Sequence, residues 1–163
     1  MGLSAKYNLS DVKKAIAGLD KEVETLFVEA GENAVDVAVS KGRYQNRTHN
    51  LRSSIGYALA QNGAIIKEGG FKKGAGQGEN MQKVSFPTKE GKNVNFWAKG
   101  PSGDGSVGSE KGRELAENIA TSSRDKYALA VVAAMPYAKY VNDMGFNVMD
   151  DAEVELRNTF KIR

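Results

Sequence analysis

The feature that most constrains this chain is a run of apolar residues at helical spacing. Val12, Ile16, Leu19, Val23, Leu26, Ala30, Ala34 and Val37 follow one another at steps of 4, 3, 4, 3, 4, 4 and 3. That spacing is one continuous face of a helix. Phe27 and Ala38 widen the face, and most charged residues between Lys13 and Asp36 fall off it. Ser10-Asp11 offers an N-terminal cap, and Gly42 stands where a C-terminal cap glycine belongs. A helix of ~30 residues is about 45 Å long. Gly18 and Gly31 each weaken it by up to about 1 kcal/mol relative to alanine, and one of them is a candidate bend. So long a helix outruns one small sheet, which leaves part of its stripe for the rest of the chain or for another subunit.

Downstream the pattern changes. A polar loop, Arg43–Asn50, precedes Leu51–Ala60, which leads into a strand. Gln61-Asn62-Gly63 is a turn and Ala64–Lys67 the return strand, the Asn-Gly pair marking a hairpin. Twelve of the 18 glycines lie between Gly63 and Gly112. Two short strands, Gln82–Phe86 and Asn93–Ala98, stand among them, joined by Thr88–Lys92 as a second hairpin. Residues 68–109 are therefore expected to form a flexible glycine-rich insertion, or arm, in a single domain covering residues 1–163. Glu110–Thr121 is a second helix with Leu115, Ala116 and Ile119 on one side. Tyr127–Ala134 reads as a buried strand. Pro136–Val141 is a helical turn that Met144-Gly145 breaks, and Phe146–Met149 is a short strand or extended loop. Asp150-Asp151 caps a last helix, with Ala152, Glu153, Val154, Leu156, Phe160 and Ile162 available for packing. The expected fold class is α+β: a long N-terminal helix packed on a small, mainly antiparallel sheet, with a glycine-rich insertion and a C-terminal helix.

The inventory for catalysis is thin. There is no cysteine, which removes disulfides, thiolate metal sites and cysteine nucleophiles together. His49 is the single histidine, so no histidine-based multi-ligand zinc site forms within one chain. The acidic pairs Glu22/Glu24, Asp150/Asp151 and Glu153/Glu155 fall on a helix surface or at a helix start, where negative charge favours the dipole. The glycines from Gly69 to Gly78 lack the Gly-Lys-Ser/Thr ending of a phosphate loop. No catalytic, cofactor or metal residue is nominated, and the chain is read as a non-enzyme. No apolar run reaches the ~20 residues of a membrane helix, and the first residues lack the apolar core of a signal peptide. Net charge is a mild +3.

One constellation has weight for binding. Lys41, Arg43, Arg47, His49 and Arg52 contain no acid among them, and Tyr44 and Tyr57 flank the group. Such a patch can touch a phosphate backbone, meet an acidic patch on a neighbouring subunit, or stay solvated. A nucleic-acid-binding module is the alternative reading, with Phe71, Phe96 and Trp97 as aromatics of the insertion.

The segment Tyr44-Gln45-Asn46-Arg47-Thr48-His49-Asn50-Leu51-Arg52-Ser53-Ser54-Ile55-Gly56-Tyr57 resembles phage minor structural proteins of the tail-completion, or head–tail joining, type. These commonly carry Arg-Thr-Gly-Asn-Leu-Arg-x-Ser-Ile after a long first helix. Arg47, Thr48, Asn50, Leu51, Arg52, Ser54 and Ile55 match. The chain departs at His49, where the family often has glycine, and histidine accepts a left-handed turn less readily. A second stretch, Val131–Val141, resembles the family's strand followed by Tyr-Ala-x-Tyr-Val-Glu, here Tyr137-Ala138-Lys139-Tyr140-Val141 with Asn142 in place of the acid. The resemblance implies a ring-forming virion subunit of the head–tail neck, without catalysis or cofactor, made in the host bacterial cytoplasm. Its implied partners are further copies of itself and other neck proteins (portal, connector, tail tube or terminator), with incidental contact to packaged DNA and none to membrane. The candidates for subunit contact are Arg43, Tyr44, Arg47, Arg52, Phe71, Trp97, Tyr137 and Tyr140.

Overall fold

The apolar stripe folds as one helix. In the computed structural model, which describes residues 9–76, 81–88, 91–99 and 103–161, α1 spans Leu9–Lys41 without interruption. Its 33 residues are about 50 Å long, against about 23 Å for a seven-residue strand. Neither helical glycine marks a break. Gly18 faces open space, and Gly31 lets the ring of Tyr57 lie flat on the helix, 2.8 Å from where a Cβ would stand. Gly42 is also corrected: it is not left-handed, and its lack of a side chain makes room for the Tyr44 ring.

After α1 the chain makes one helical turn, α2 (Asn50–Ser53), then β1 (Ile55–Gln61) and β2 (Ala64–Gly70). Leu51 thus belongs to the turn and not to the strand. The hairpin forms as the Asn-Gly pair requires, with φ of 51° at Asn62 and 78° at Gly63. β3 (Met81–Pro87) and β4 (Asn93–Lys99) form a separate two-stranded antiparallel ribbon. α3 (Ser106–Ser122), β5 (Tyr127–Ala133), α4 (Ala138–Val141), a wider helical turn over Asn142–Phe146 and α5 (Asp150–Thr159) complete the order. The helical stretch expected to break at Met144-Gly145 thus runs on to Phe146, with Gly145 alone leaving the helical conformation. The main sheet is antiparallel in the order β2-β1-β5.

Every residue of β1 except Gln61 is buried, because helices cover both faces of the sheet. Ile55 and Tyr57 join Ala34, Val35 and Ala38 of α1, together with Val148 and Ala152 near α5. Ala58 and Ala60 face the other way, with Ala130, Val132, Phe71 and α3. The buried face of α3 is made of small residues four apart, Gly108, Gly112, Ala116 and Ala120. That corrects the expected face: Leu115 and Ile119 are exposed, and only Ala116 of the expected trio is buried.

The fold also claims both ends of the expected arm. Glu68–Gly70 are part of β2. Phe71 is 4% exposed with φ 53°, its N–H donating to Ile55 O at 2.9 Å and its C=O accepting from Ser109 Oγ at 2.8 Å. Burying the ring offsets the roughly 1–3 kcal/mol a left-handed bulky residue costs. Gly74 N–H donates to Asp104 O and Gly76 N–H to Gly103 O, both at 3.0 Å, so the two ends of the insertion pair with each other. Beyond this root, β3 and β4 pack mainly on one another. Residues 77–80, 89–90 and 100–102 of the insertion lie outside the described residues, as does Ile162.

Asp150 and Asp151 are first-turn residues of α5; Asn147 accepts from that turn, and Asn142 holds the two residues before it. Asn142 Oδ1 accepts from Val148 N–H and Met149 N–H, and Asn147 Oδ1 from Asp151 N–H at 3.1 Å. Asn147 also donates to the Asp151 carboxylate, and this, with Lys41 nearby, holds that group below the usual carboxylate range. No helix among the described residues is long and apolar enough to cross a membrane.

Candidate functional site

The loop Arg43–His49 is built as a wall. Asn46 Nδ2 donates to His49 Nδ1 at 2.9 Å, and Arg47 Nε to Gln45 Oε1 at 3.0 Å. His49 adopts the left-handed conformation after all, with φ 64° and ψ −5°. Its C=O accepts from Ser53 N–H, which starts α2. The neighbouring glycines explain how the loop is held. Gly76 stands against the carbonyl of Arg47, and Gly103 against that of Thr48, so close that a Cβ at either would collide with backbone. The root of the insertion therefore clasps the Arg47–Thr48 peptide, and glycine is required there by proximity.

The second wall comes from Met135, Tyr137, Val141 and Phe146, about ninety residues further on. Arg43 N–H donates to Phe146 O at 2.9 Å and ties the two walls together. Between them lies a cleft of about 790 Å³. The charged groups among the described residues lining it are Arg43 and Arg47, and no carboxylate is among them. Burial pushes the Tyr137 hydroxyl up, with Thr48 beside it offsetting part of that. Tyr137, Tyr140 and Met144 lie three and four residues apart along the helical stretch that borders the cleft, at 41%, 67% and 56% exposure.

The expected contact residues divide. Arg43, Arg47 and Tyr137 meet at the cleft, and Tyr140 stands exposed on the same stretch. Tyr44 also lines the cleft, with most of its side chain buried, and the half-buried Arg52 backs it, its guanidinium carbon 5.7 Å from the ring centroid. Burial pushes the Tyr44 hydroxyl up, and the Arg52 charge offsets part of the shift. Tyr44 Oη and Arg52 Nε are both buried. Both residues support the cleft wall. Phe71 is a core residue and is corrected as a contact. Trp97 sits in β4 opposite Lys83, and its side chain lies outside the described residues.

Gln45, Met135 and Phe146 were not legible as site residues. Phe146 carried no periodic signal, because the left-handed Gly145 and Asn147 on either side set its direction. Among the described residues no cluster of three or more histidine, aspartate or glutamate side chains is placed to hold a metal. No protein-family model, no curated protein and no solved structure matches this chain.

Proposed function

We propose that the chain is a structural subunit of a bacteriophage neck, one copy in a ring at the head–tail connector, acting in assembly and not in catalysis. The observation that carries the reading is the convergence of its two family-like segments. Tyr44–Tyr57 and Val131–Val141 contribute opposite walls of one cleft, although nothing in their sequence separation requires them to meet. A ring of identical copies needs two different adhesive surfaces. The basic, aromatic cleft supplies one. The exposed Ile16, Leu19 and Leu26 on the N-terminal half of α1 supply another, apolar one. The protein would be made in the host cytoplasm and end in the virion, beside portal, connector and tail-tube or terminator proteins.

Mass photometry tests this directly. A closed oligomer is expected, either alone or on mixing with a portal ring. Monomers under both conditions overturn the reading. The acid-free pairing of Arg43 and Arg47 also favours a second reading, contact with a nucleic-acid backbone. That reading requires duplex affinity to fall steeply between 50 and 200 mM salt, as phosphate contacts demand, and no binding at low salt removes it.

A further inference from the structure

The main sheet has two edges, and they are treated differently. The β2 edge is blunted in the ways that proteins use to stop edge-to-edge pairing. It carries Lys67 and Glu68, its register with β1 shifts between Leu59 and Ala60, and Glu68 is tied to Arg113 Nε at 3.0 Å. The β5 edge has none of this. Tyr127–Ala133 is seven residues without a charge, a proline or a bulge. Among the described residues, no group bonds the N–H and C=O groups that point away from β1. Two adjoining clefts of about 400 and 440 Å³ run along it, reaching from Ile119 and Leu156 to Asn142 and Asp143. An apolar strand edge lying open in a groove is a template for one more strand.

The same chain carries strands that lack a sheet. The β3–β4 ribbon has seven residues on each side, the length of β5. Val84 pairs with Phe96 and Phe86 with Val94, which puts four apolar residues on one face. Phe86 and Phe96 meet edge to face at 6.1 Å and are 46% and 45% exposed. A lone two-stranded ribbon is marginal in water and gains from a third strand beneath it.

We propose that the β3–β4 ribbon of one copy adds edgewise to β5 of a second copy, extending its three-stranded sheet to five strands. The ribbon's apolar face then covers the groove between α3 and α5. Because donor strand and acceptor edge are different parts of the chain, each copy gives and receives, so the contact propagates head to tail. The proposal needs self-association only, and it stands whether or not the assembly belongs to a virion.

The native chain has no cysteine, so introduced thiols are the only ones present. One chain carrying Ser85→Cys or Asn95→Cys is mixed with a mass-tagged chain carrying Val131→Cys and oxidised gently. A disulfide between tagged and untagged chains is expected with at least one ribbon position. The same tagged chain mixed with Lys67→Cys, on the β2 edge at the other side of the sheet, should not cross-link. In parallel, residues 81–99 are replaced by a short glycine–serine link. Self-association should weaken about tenfold or more, while the melting temperature measured at concentrations where both chains are monomeric stays unchanged, because the body does not lean on the ribbon. Absence of cross-linking from both ribbon positions, or undiminished association of the ribbon-less chain, overturns the proposal.

Discussion

The two halves of α1 carry one apolar stripe and meet opposite fates. From Ala30 to Ala38 the stripe is made of small residues and is buried on the sheet, with Ala30, Ala34 and Ala38 at 2% exposure or less. From Ile16 to Leu26 it is made of large residues, of which Ile16, Leu19 and Leu26 are exposed and Val23 is half-buried. Side-chain size explains the difference. Alanines and Gly31 let the helix axis approach Tyr57 closely, whereas isoleucine and leucine hold a partner at the spacing of a helix packed on a helix. The periodicity of a stripe thus announces burial, and its residue volumes tell how close the covering surface comes. α3 repeats the lesson on one helix, with Gly112, Ala116 and Ala120 inward and Leu115 and Ile119 outward.

The comparison breaks most visibly at Tyr57. Tyr57→Ala removes the largest fully buried side chain of the core, and chemical denaturation should show a loss of about 3–5 kcal/mol. The same ring carries a pH signature. Burial, with Glu32 beside it, pushes its hydroxyl from 10.0 up to about 12. A raised value in the fold means the contribution is present below pH 10 and is lost as pH climbs towards 12, so Tyr57→Phe should flatten the alkaline limb of the stability curve.

Two glycines in one helix sharpen the contrast further, because the same substitution should change sign between them. Gly31→Ala drives a methyl into the Tyr57 ring and should cost about 1–3 kcal/mol by thermal or denaturant unfolding. Gly18→Ala meets nothing within 4 Å and should stabilise by about 0.5–1 kcal/mol through helix propensity alone. Equal signs would mean that the halves do not differ as described.

Leu19→Asp tests the outward half for function. Stability should move by no more than about 0.5 kcal/mol, as for an exposed site, while sedimentation should show weaker association. A variant that unfolds would place Leu19 in the core instead. The smallest effect belongs to Asp20. Lys126, bonded to it at 2.5 Å, holds its carboxyl below 3.8. A depressed value means the pair contributes above that pH and is lost as pH falls through the folded value. Asp20→Asn should therefore remove a shallow acid limb and leave neutral stability nearly unchanged, since both side chains are solvated.

Much of this was legible because it is local. The helix of α1 follows from spacing, and the β1–β2 hairpin from Asn62-Gly63. The α+β class follows from the order of such elements. What escaped depends on contacts distant in sequence. Phe71 reads as an arm residue because glycines surround it in sequence, yet Gly56 and Gly112 open the space that its ring fills. Tyr44 and Arg52 read as surface residues because their neighbours are polar. The cleft escaped for the same reason: Arg43 and Tyr137 contribute opposite walls, and neither carries a trace of the other in its flanking residues. His49 kept a turn suited to glycine because Asn46 and the α2 turn hold it there.

The glycine clasp on Arg47–Thr48 makes the insertion a cassette. Its two ends are fixed to each other and to the loop, so what the body senses is the closure at Gly74–Gly76 and Gly103–Asp104 and not the peptide carried between. Loop-closure cost grows only slowly with length. A longer ribbon, a different ribbon or a foreign peptide can be seated in the same socket while the sheet beneath keeps its register. Reach and specificity can thus be exchanged at one site without renegotiating the core.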